Sequence, residues 1–184
     1  MTDYSLRDER FAALALLAAD RSSMKYHQHG CIAVLGGQII ARGWNSYRCY
    51  SNDGYLNNAC SCHAEIDVLR KLRKLKRFLN KRNPSQRIPD STFYSRISLY
   101  VARKNKMGDK YKDSSPCAYC AHMMKSLNIR YIIYSNSIGT LTKCRVTDYD
   151  TTHNSQGNLF LLGEKEKEKE KEKENEINEE NEND

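Results

Sequence analysis

Two short segments with 50 residues between them, His63-Ala64-Glu65 and Pro116-Cys117-Ala118-Tyr119-Cys120, constrain this chain more than any other feature of it. They hold an imidazole, two thiols and a carboxylate, which can act together only if the fold brings both segments to one point. Zinc takes imidazole nitrogen and thiolate sulfur, and a catalytic zinc uses three protein ligands so that a fourth tetrahedral position stays open to water. His63, Cys117 and Cys120 meet that count. Glu65, two residues from a ligand, is placed to carry protons. Each segment stands where the pattern predicts the start of a helix, so two positive dipole ends would face the thiolates and favour their deprotonated form.

The rest of the chain supplies a scaffold for that convergence. Leu6 to Arg21 lacks Gly and Pro and carries the apolar run Phe11–Ala19, which predicts a mostly buried first helix. His29–Leu35 and Gln38–Trp44 are β-rich runs around Gly36-Gly37, the signature of a tight antiparallel hairpin. Turn-forming residues from Tyr47 to Ser61 predict a loop. From Ala64, apolar residues Val68, Leu69, Leu72, Leu75 and Leu79 recur at helical spacing with basic residues between them, an amphipathic helix with a basic outer face. Asn80 to Ser95 reads as a polar connection, and Ile97–Ala102 as a buried strand. Lys104 to Ser115 reads as a second loop. Pro116 is compatible with an initial helical position, Ala118 to Leu127 with the helix, and Arg130–Tyr134 with a fourth strand. The order α-β-β-α-β-α-β predicts helices packed on a mixed sheet, with the elements from Ile138 to Leu162 left unplaced.

Charge divides the chain in two. From Glu164 onward there are 11 acidic and five basic residues, no aromatic, and Ile177 as the sole apolar side chain. Such a tail cannot offset the entropy of ordering and is expected to be disordered or a transient solvated helix. The formal +7 of the whole chain then leaves about +13 on residues 1–163, the single expected domain, which suggests a phosphate-bearing or polyanionic partner. The longest apolar run is nine residues, about half of the ~20 that a membrane span needs, so no membrane association is expected. Seven cysteines, an odd number with no secretory leader before them, favour an intracellular location, cytoplasmic or nuclear.

With the two segments in this order, the chain resembles the cytidine/deoxycytidylate deaminase superfamily over roughly residues 5 to 135. It shares the H-x-E and P-C-x-x-C signature of zinc deaminases that act on nucleobases. The resemblance implies a three-layer α/β fold, a mixed sheet with helices on both faces. It also implies a Zn2+ cofactor on His63, Cys117 and Cys120, Glu65 as the catalytic proton carrier, and Asn45 and the backbone at Ala64 as substrate contacts. Hydrolysis of cytosine to uracil in a nucleotide of the dCMP or CMP kind is the implied activity. The histidine ligand suits the deoxycytidylate and nucleic-acid branches, since free-cytidine deaminases usually place cysteine there. Self-association as a homo-oligomer is a family-level expectation.

The 50 residues between Glu65 and Pro116 depart from the pattern, because many members need about half that number. The excess lies around residues 70–95, and Arg70 to Arg87 holds nine basic residues and no acidic one. A tRNA or other polynucleotide deaminase therefore stays open, with RNA or single-stranded DNA held by the basic insertion and by the loop of Tyr47, Arg48, Tyr50 and Tyr55. Many tRNA adenosine deaminases carry Glu before their Pro-Cys, whereas Ser115 stands here. A catalytically silent zinc or nucleic-acid-binding module also stays open, although Glu65 would have no task in it. Two other cysteine arrangements are conceivable. Cys60 and Cys62 could join Cys117 and Cys120 in a closed zinc site, or Cys49, Cys60 and Cys62 could form an auxiliary one, against which stands the simpler reading of free thiols.

Overall fold

The computed structural model describes residues 4–57, 59–104, 111–160 and 163. The Glu/Lys/Asn tail from Glu164 lies outside the described residues. The chain runs α1 (Leu6–Ala19), β1 (His29–Leu35), β2 (Gln38–Trp44), α2 (Ala64–Arg82), α3 (Asp90–Tyr94), β3 (Ile97–Lys104), β4 (Tyr111–Lys112), α4 (Ala118–Ser126), β5 (Tyr131–Ser135) and β6 (Leu141–Arg145). The strands form one sheet in the order β2-β1-β3-β5-β6, with the short β4 paired to the end of β3. β3 and β5 are parallel, and the other neighbouring pairs are antiparallel. The mixed sheet is the one expected, widened by two strands, β4 and β6, that fall in stretches without a clear period.

Alternation along β1 and β3 sends side chains to two separate cores. Cys31, Ala33, Leu99 and Val101 face Val68, Leu69 and Leu72 of α2 and Cys120 and Met124 of α4. Ile32, Val34, Tyr100 and Ala102 face Ala12, Ala15 and Ala18 of α1. The sheet is thus the middle of three layers, with α1 on one face and α2 and α4 on the other.

Close approach of the helices depends on two glycines. A Cβ on Gly30 would stand 2.0 Å from the Ala15 carbonyl oxygen and 2.5 Å from the Ala19 nitrogen, so the backbone of α1 lies directly on β1. On the opposite face, a Cβ on Gly43 would stand 2.8 Å from the Ala64 carbonyl oxygen and 2.9 Å from the Val68 nitrogen. The first helix is consequently one-sided rather than mostly buried. Ala12, Ala15, Ala18 and Ala19 pack inward while Leu6, 79% exposed, and Leu17 face outward. Gly36 and Gly37, with φ of 57° and 81°, form the expected two-residue hairpin turn.

α1 starts at a capping box, in which the Ser5 hydroxyl accepts from the Asp8 amide and the Asp8 carboxylate accepts from the Ser5 amide. Asp8 also accepts from the Tyr100 hydroxyl at 2.7 Å and from the Lys143 ammonium at 3.0 Å, tying the helix to β3 and β6. Burial opposes its charge, but these donors together hold its pKa at about 2, below the ordinary 3.8. A carboxylate with a depressed folded pKa contributes stability above its unfolded value, and loses it as pH falls toward the folded one. Asp8→Asn is therefore expected to lower unfolding free energy at neutral pH by on the order of 2 kcal/mol. Urea titrations should show the gap between the two proteins closing from about pH 4 to about pH 2, and a gap independent of pH would disprove the linkage.

Two further expectations require correction. Asn80 to Ser95 is not simply a polar connection: Pro84–Gln86 forms a 3-10 turn, and α3 buries Phe93 and Tyr94 against the core that contains α2. A five-residue helix is too short to show periodicity. α4 begins at Ala118, with Cys117 as its extended N-cap, so Pro116 precedes the cap rather than occupying an initial helical position.

Candidate active site

Because β1 lies antiparallel between β2 and β3, those two strands run in the same direction. Each is followed by a loop and then by a helix on the same face of the sheet, so the N-termini of α2 and α4 meet beyond the strand ends. His63 is the N-cap of α2 and Cys117 the N-cap of α4, both extended in backbone and neither receiving a side-chain cap bond. The loop before α2 is closed at its base by paired backbone hydrogen bonds between Ser46 and Cys62 of 3.0 and 2.9 Å. That closure sets the position from which His63 enters the site.

The His63 Nδ1 atom lies 3.5 Å from the Cys117 sulfur and 3.3 Å from the Cys120 sulfur, and the three ligand atoms all fall within 4.8 Å of one another. Tetrahedral zinc with ordinary bond lengths separates a nitrogen and a sulfur ligand by about 3.6 Å. The donor set therefore fits zinc with little rearrangement, and the three residues are positioned to bind it. A hydrogen bond from the Cys120 thiol, helped by His63 and opposed by burial, lowers the Cys117 pKa to about 4. The same bond to Cys117, with burial, raises the Cys120 thiol well above its ordinary range. Burial works against a charged His63, but its bond with Cys117 and the neighbouring negative charges raise it overall. The two thiols are thus held on opposite sides of their ordinary range, Cys117 below it and Cys120 above it.

Glu65 is the second residue of α2 and only 5% exposed. Burial raises its carboxyl pKa, against the pull of His63. The influence of His63, Cys117 and Cys120 on its titration places it beside the triad. Ala64, fully buried, belongs to the first helical turn, whose amide hydrogens have no intrahelical acceptor. Asn45 is engaged differently from a residue that only faces a substrate. Its Oδ1 accepts from the Ser22 hydroxyl at 2.7 Å and the His29 amide at 2.8 Å, and its Nδ2 donates to the His27 carbonyl at 2.8 Å. It fastens the α1–β1 connection and keeps one amide hydrogen without a partner among the described residues.

A cavity of about 490 Å3 opens at His63. Its walls are residues 54–57, Ala59 and Ser61 of the loop before α2, Ile66, Tyr119 and, from beyond β6, Asn154 and Asn158. The Tyr119 hydroxyl donates to the Tyr55 carbonyl at 2.7 Å, holding the loop to α4. The segment after β6 is anchored across the site by three bonds. The Tyr149 hydroxyl donates to the Pro116 carbonyl at 2.7 Å, the Ala118 amide to the His153 carbonyl at 2.8 Å, and the Cys60 thiol to the Gly157 carbonyl at 3.3 Å. Sequence reasoning missed Asn154 and Asn158, which carry no motif. Tyr119 could have been singled out, since it stands between the two cysteines.

Among the described residues, His63, Cys117 and Cys120 form the one group of His, Cys, Asp or Glu side chains gathered closely enough to hold a metal. Cys49, Cys60 and Cys62 are free thiols and do not assemble with each other or with Cys117 and Cys120. Of the loop tyrosines, Tyr55 is buried, whereas Tyr47 and Tyr50 are 60% and 59% exposed. Arg70, expected on the basic outer face of α2, turns inward and pairs with Asp53 at 2.7 Å.

The family described as the cytidine and deoxycytidylate deaminase zinc-binding region matches residues 5–136, most of the chain and, within this site, His63, Glu65, Cys117 and Cys120. The chain belongs to that family. Within it, the deoxycytidylate deaminase of Schizosaccharomyces pombe is 27% identical over 141 residues, which are 71% of this chain and 37% of that protein. The chain thus matches little more than a third of that relative's length. Among solved structures, the cyanophage S-TIM5 dCMP deaminase in complex with dCMP and dUMP is similar at 23% identity and a TM-score of 0.46, covering 70% of this chain and 80% of that one. A cytidine deaminase from Burkholderia pseudomallei is similar at 16% identity and a TM-score of 0.47, covering 80% and 95%. Zinc is the cofactor of this deaminase family, and no described helix of the chain is long and apolar enough to cross a membrane.

Proposed function

We propose that this chain is a hydrolytic deaminase that converts the cytosine of a nucleotide, of the dCMP or CMP kind, to uracil with release of ammonia. The observation that carries this reading is the buried Glu65 carboxylate near three ligand atoms within 4.8 Å of one another, one of which, on His63, lines a cavity of about 490 Å3. That volume is within the range of small-molecule sites. Zinc on His63, Cys117 and Cys120 would supply the Lewis acidity that makes water nucleophilic near neutral pH. Glu65 takes a proton from the attacking water, passes it to a ring nitrogen of the base, and helps protonate the departing ammonia. The Ala64 amide and the remaining Asn45 amide hydrogen serve as substrate contacts.

A polynucleotide substrate is the second reading, supported by the exposed Tyr47 and Tyr50 on either side of Arg48 and by the lysines and arginines along α2. Incubating zinc-loaded protein with dCMP, CMP, cytidine, single-stranded DNA and tRNA, and following ammonia and base conversion, separates the readings. The nucleotide reading expects turnover of dCMP or CMP with little salt dependence. A polynucleotide enzyme would act on a strand and weaken steeply as salt rises. Conversion of no substrate by protein that holds zinc would overturn both and leave a silent zinc module.

A further inference from the structure

The cavity at the triad has no lysine or arginine in its lining. A phosphate on a ligand seated there needs its counter-charge from elsewhere, because an unpaired anion against a protein wall is costly. A second cleft, also of about 490 Å3, shares Gly54 and Tyr55 with the first, so one turn of the loop forms a wall of both. It lies where α2 continues into the basic insertion, and its lining includes Arg73, Lys76, Arg77 and Asn80 together with Tyr94 of α3 and Met123 of α4.

The charges of this cleft are arranged rather than scattered. Asp53 at its edge is already neutralised by Arg70. The Arg73 guanidinium is held in place by the Asp53 carbonyl at 2.5 Å and lies 5.6 Å from the centre of the Tyr55 ring. Lys76 pairs with Asp90, whose side chain is largely exposed. Arg77 forms no ion pair among the described residues. Three cations therefore face one carboxylate that they must share with solvent. Guanidinium groups match phosphate oxygens in geometry as well as charge.

We propose that this cleft is a phosphate subsite, which binds a phosphate ester of the ligand whose base occupies the cavity at the triad. The inference rests on the deaminase reading for the identity of that base. The phosphate has two sources of the same chemistry, the nucleotide's own monoester or a phosphodiester of a strand.

The test compares kcat/KM for cytidine, dCMP and a short deoxycytidine oligonucleotide in zinc-loaded wild type, Arg77→Ala, Lys76→Ala/Arg77→Ala and Lys74→Ala. Lys74 lies on the exposed side of α2, outside the cleft, and controls for general positive charge. The proposal expects Arg77→Ala to reduce the preference for a phosphate-bearing substrate over cytidine by about tenfold, the double variant to reduce it further, and Lys74→Ala to change it by less than about twofold. A reduction seen with dCMP assigns the subsite to the nucleotide's own phosphate, and one confined to the oligonucleotide assigns it to a strand. Preferences unchanged in both cleft variants, with cytidine still converted, would overturn the subsite and leave the deaminase reading standing. Inorganic pyrophosphate titrated calorimetrically into the same proteins gives a readout independent of turnover. If no substrate is converted, binding that is weakened by Arg77→Ala and not by Lys74→Ala keeps the subsite while the deaminase reading fails, and binding that is absent or equal in all proteins overturns the subsite.

Discussion

Glu65→Gln is expected to lower the rate of ammonia release by roughly a thousandfold or more while the protein still binds one zinc per chain. The substitution keeps the shape of a side chain that is buried at the start of α2, so the packing around Ile66 and Cys31 has no reason to change. What it removes is the group that can accept a proton at one moment and return it at another. Burial raises the Glu65 pKa, so the carboxyl holds a proton more strongly than an exposed carboxylate does. Deamination needs that property, since the attacking water must lose a proton and the leaving nitrogen must gain one. Metal analysis of the purified variant, run beside the ammonia assay, separates a chemical defect from a binding defect. Retention of activity to within about tenfold would remove Glu65 from the role proposed for it, and loss of zinc would make it a structural support of the triad.

Gly30→Ala should be the most damaging single-methyl change in the scaffold, costing on the order of 4 kcal/mol. The added carbon would sit 2.0 Å from a backbone oxygen and 2.5 Å from a backbone nitrogen of α1, and neither atom belongs to a side chain that could turn away. Relief requires the whole helix to lift from the sheet, uncovering Ile32, Val34 and Tyr100. Gly36→Ala provides the comparison. Gly36 has a φ of 57° but open space around its missing Cβ, so only the left-handed strain is incurred, about 1 kcal/mol. Urea unfolding followed by circular dichroism should therefore give a much lower midpoint for Gly30→Ala than for Gly36→Ala. Equal midpoints would mean that α1 can retreat at little cost and that the contact is not what holds this layer in place.

The His63, Cys117 and Cys120 group was readable in the chain because metal ligation demands particular residue types at short spacings within each of two motifs, whereas the meeting of those motifs across 50 residues is the work of the fold. The two hairpin strands and the start of α2 were readable for a similar reason: a Gly-Gly pair between β-rich runs, and apolar residues at helical steps, act within a few residues of themselves. Arg70 shows where this stops. By sequence it is one of nine basic residues between Arg70 and Arg87, and only the return of the loop to place Asp53 within 2.7 Å makes it an interior ion pair. Asn45 is expected from its position to contact substrate, whereas its three bonds to Ser22, His29 and His27 come from the way the α1–β1 connection crosses the end of β2.

The sequence by itself determined the chemistry that this protein can hold and the order of most elements that hold it, since ligand identity, helix periodicity and turn residues are local properties. Tertiary structure alone decided what surrounds that chemistry. Asn154 and Asn158 reach the cavity because Tyr149 and the His153 carbonyl bind the start of α4, and the cationic cleft exists because the insertion folds back across α2 with Phe93 and Tyr94 buried. Contacts between residues far apart in the chain depend on which surfaces the packed layers bring together, and no short stretch of sequence carries that information.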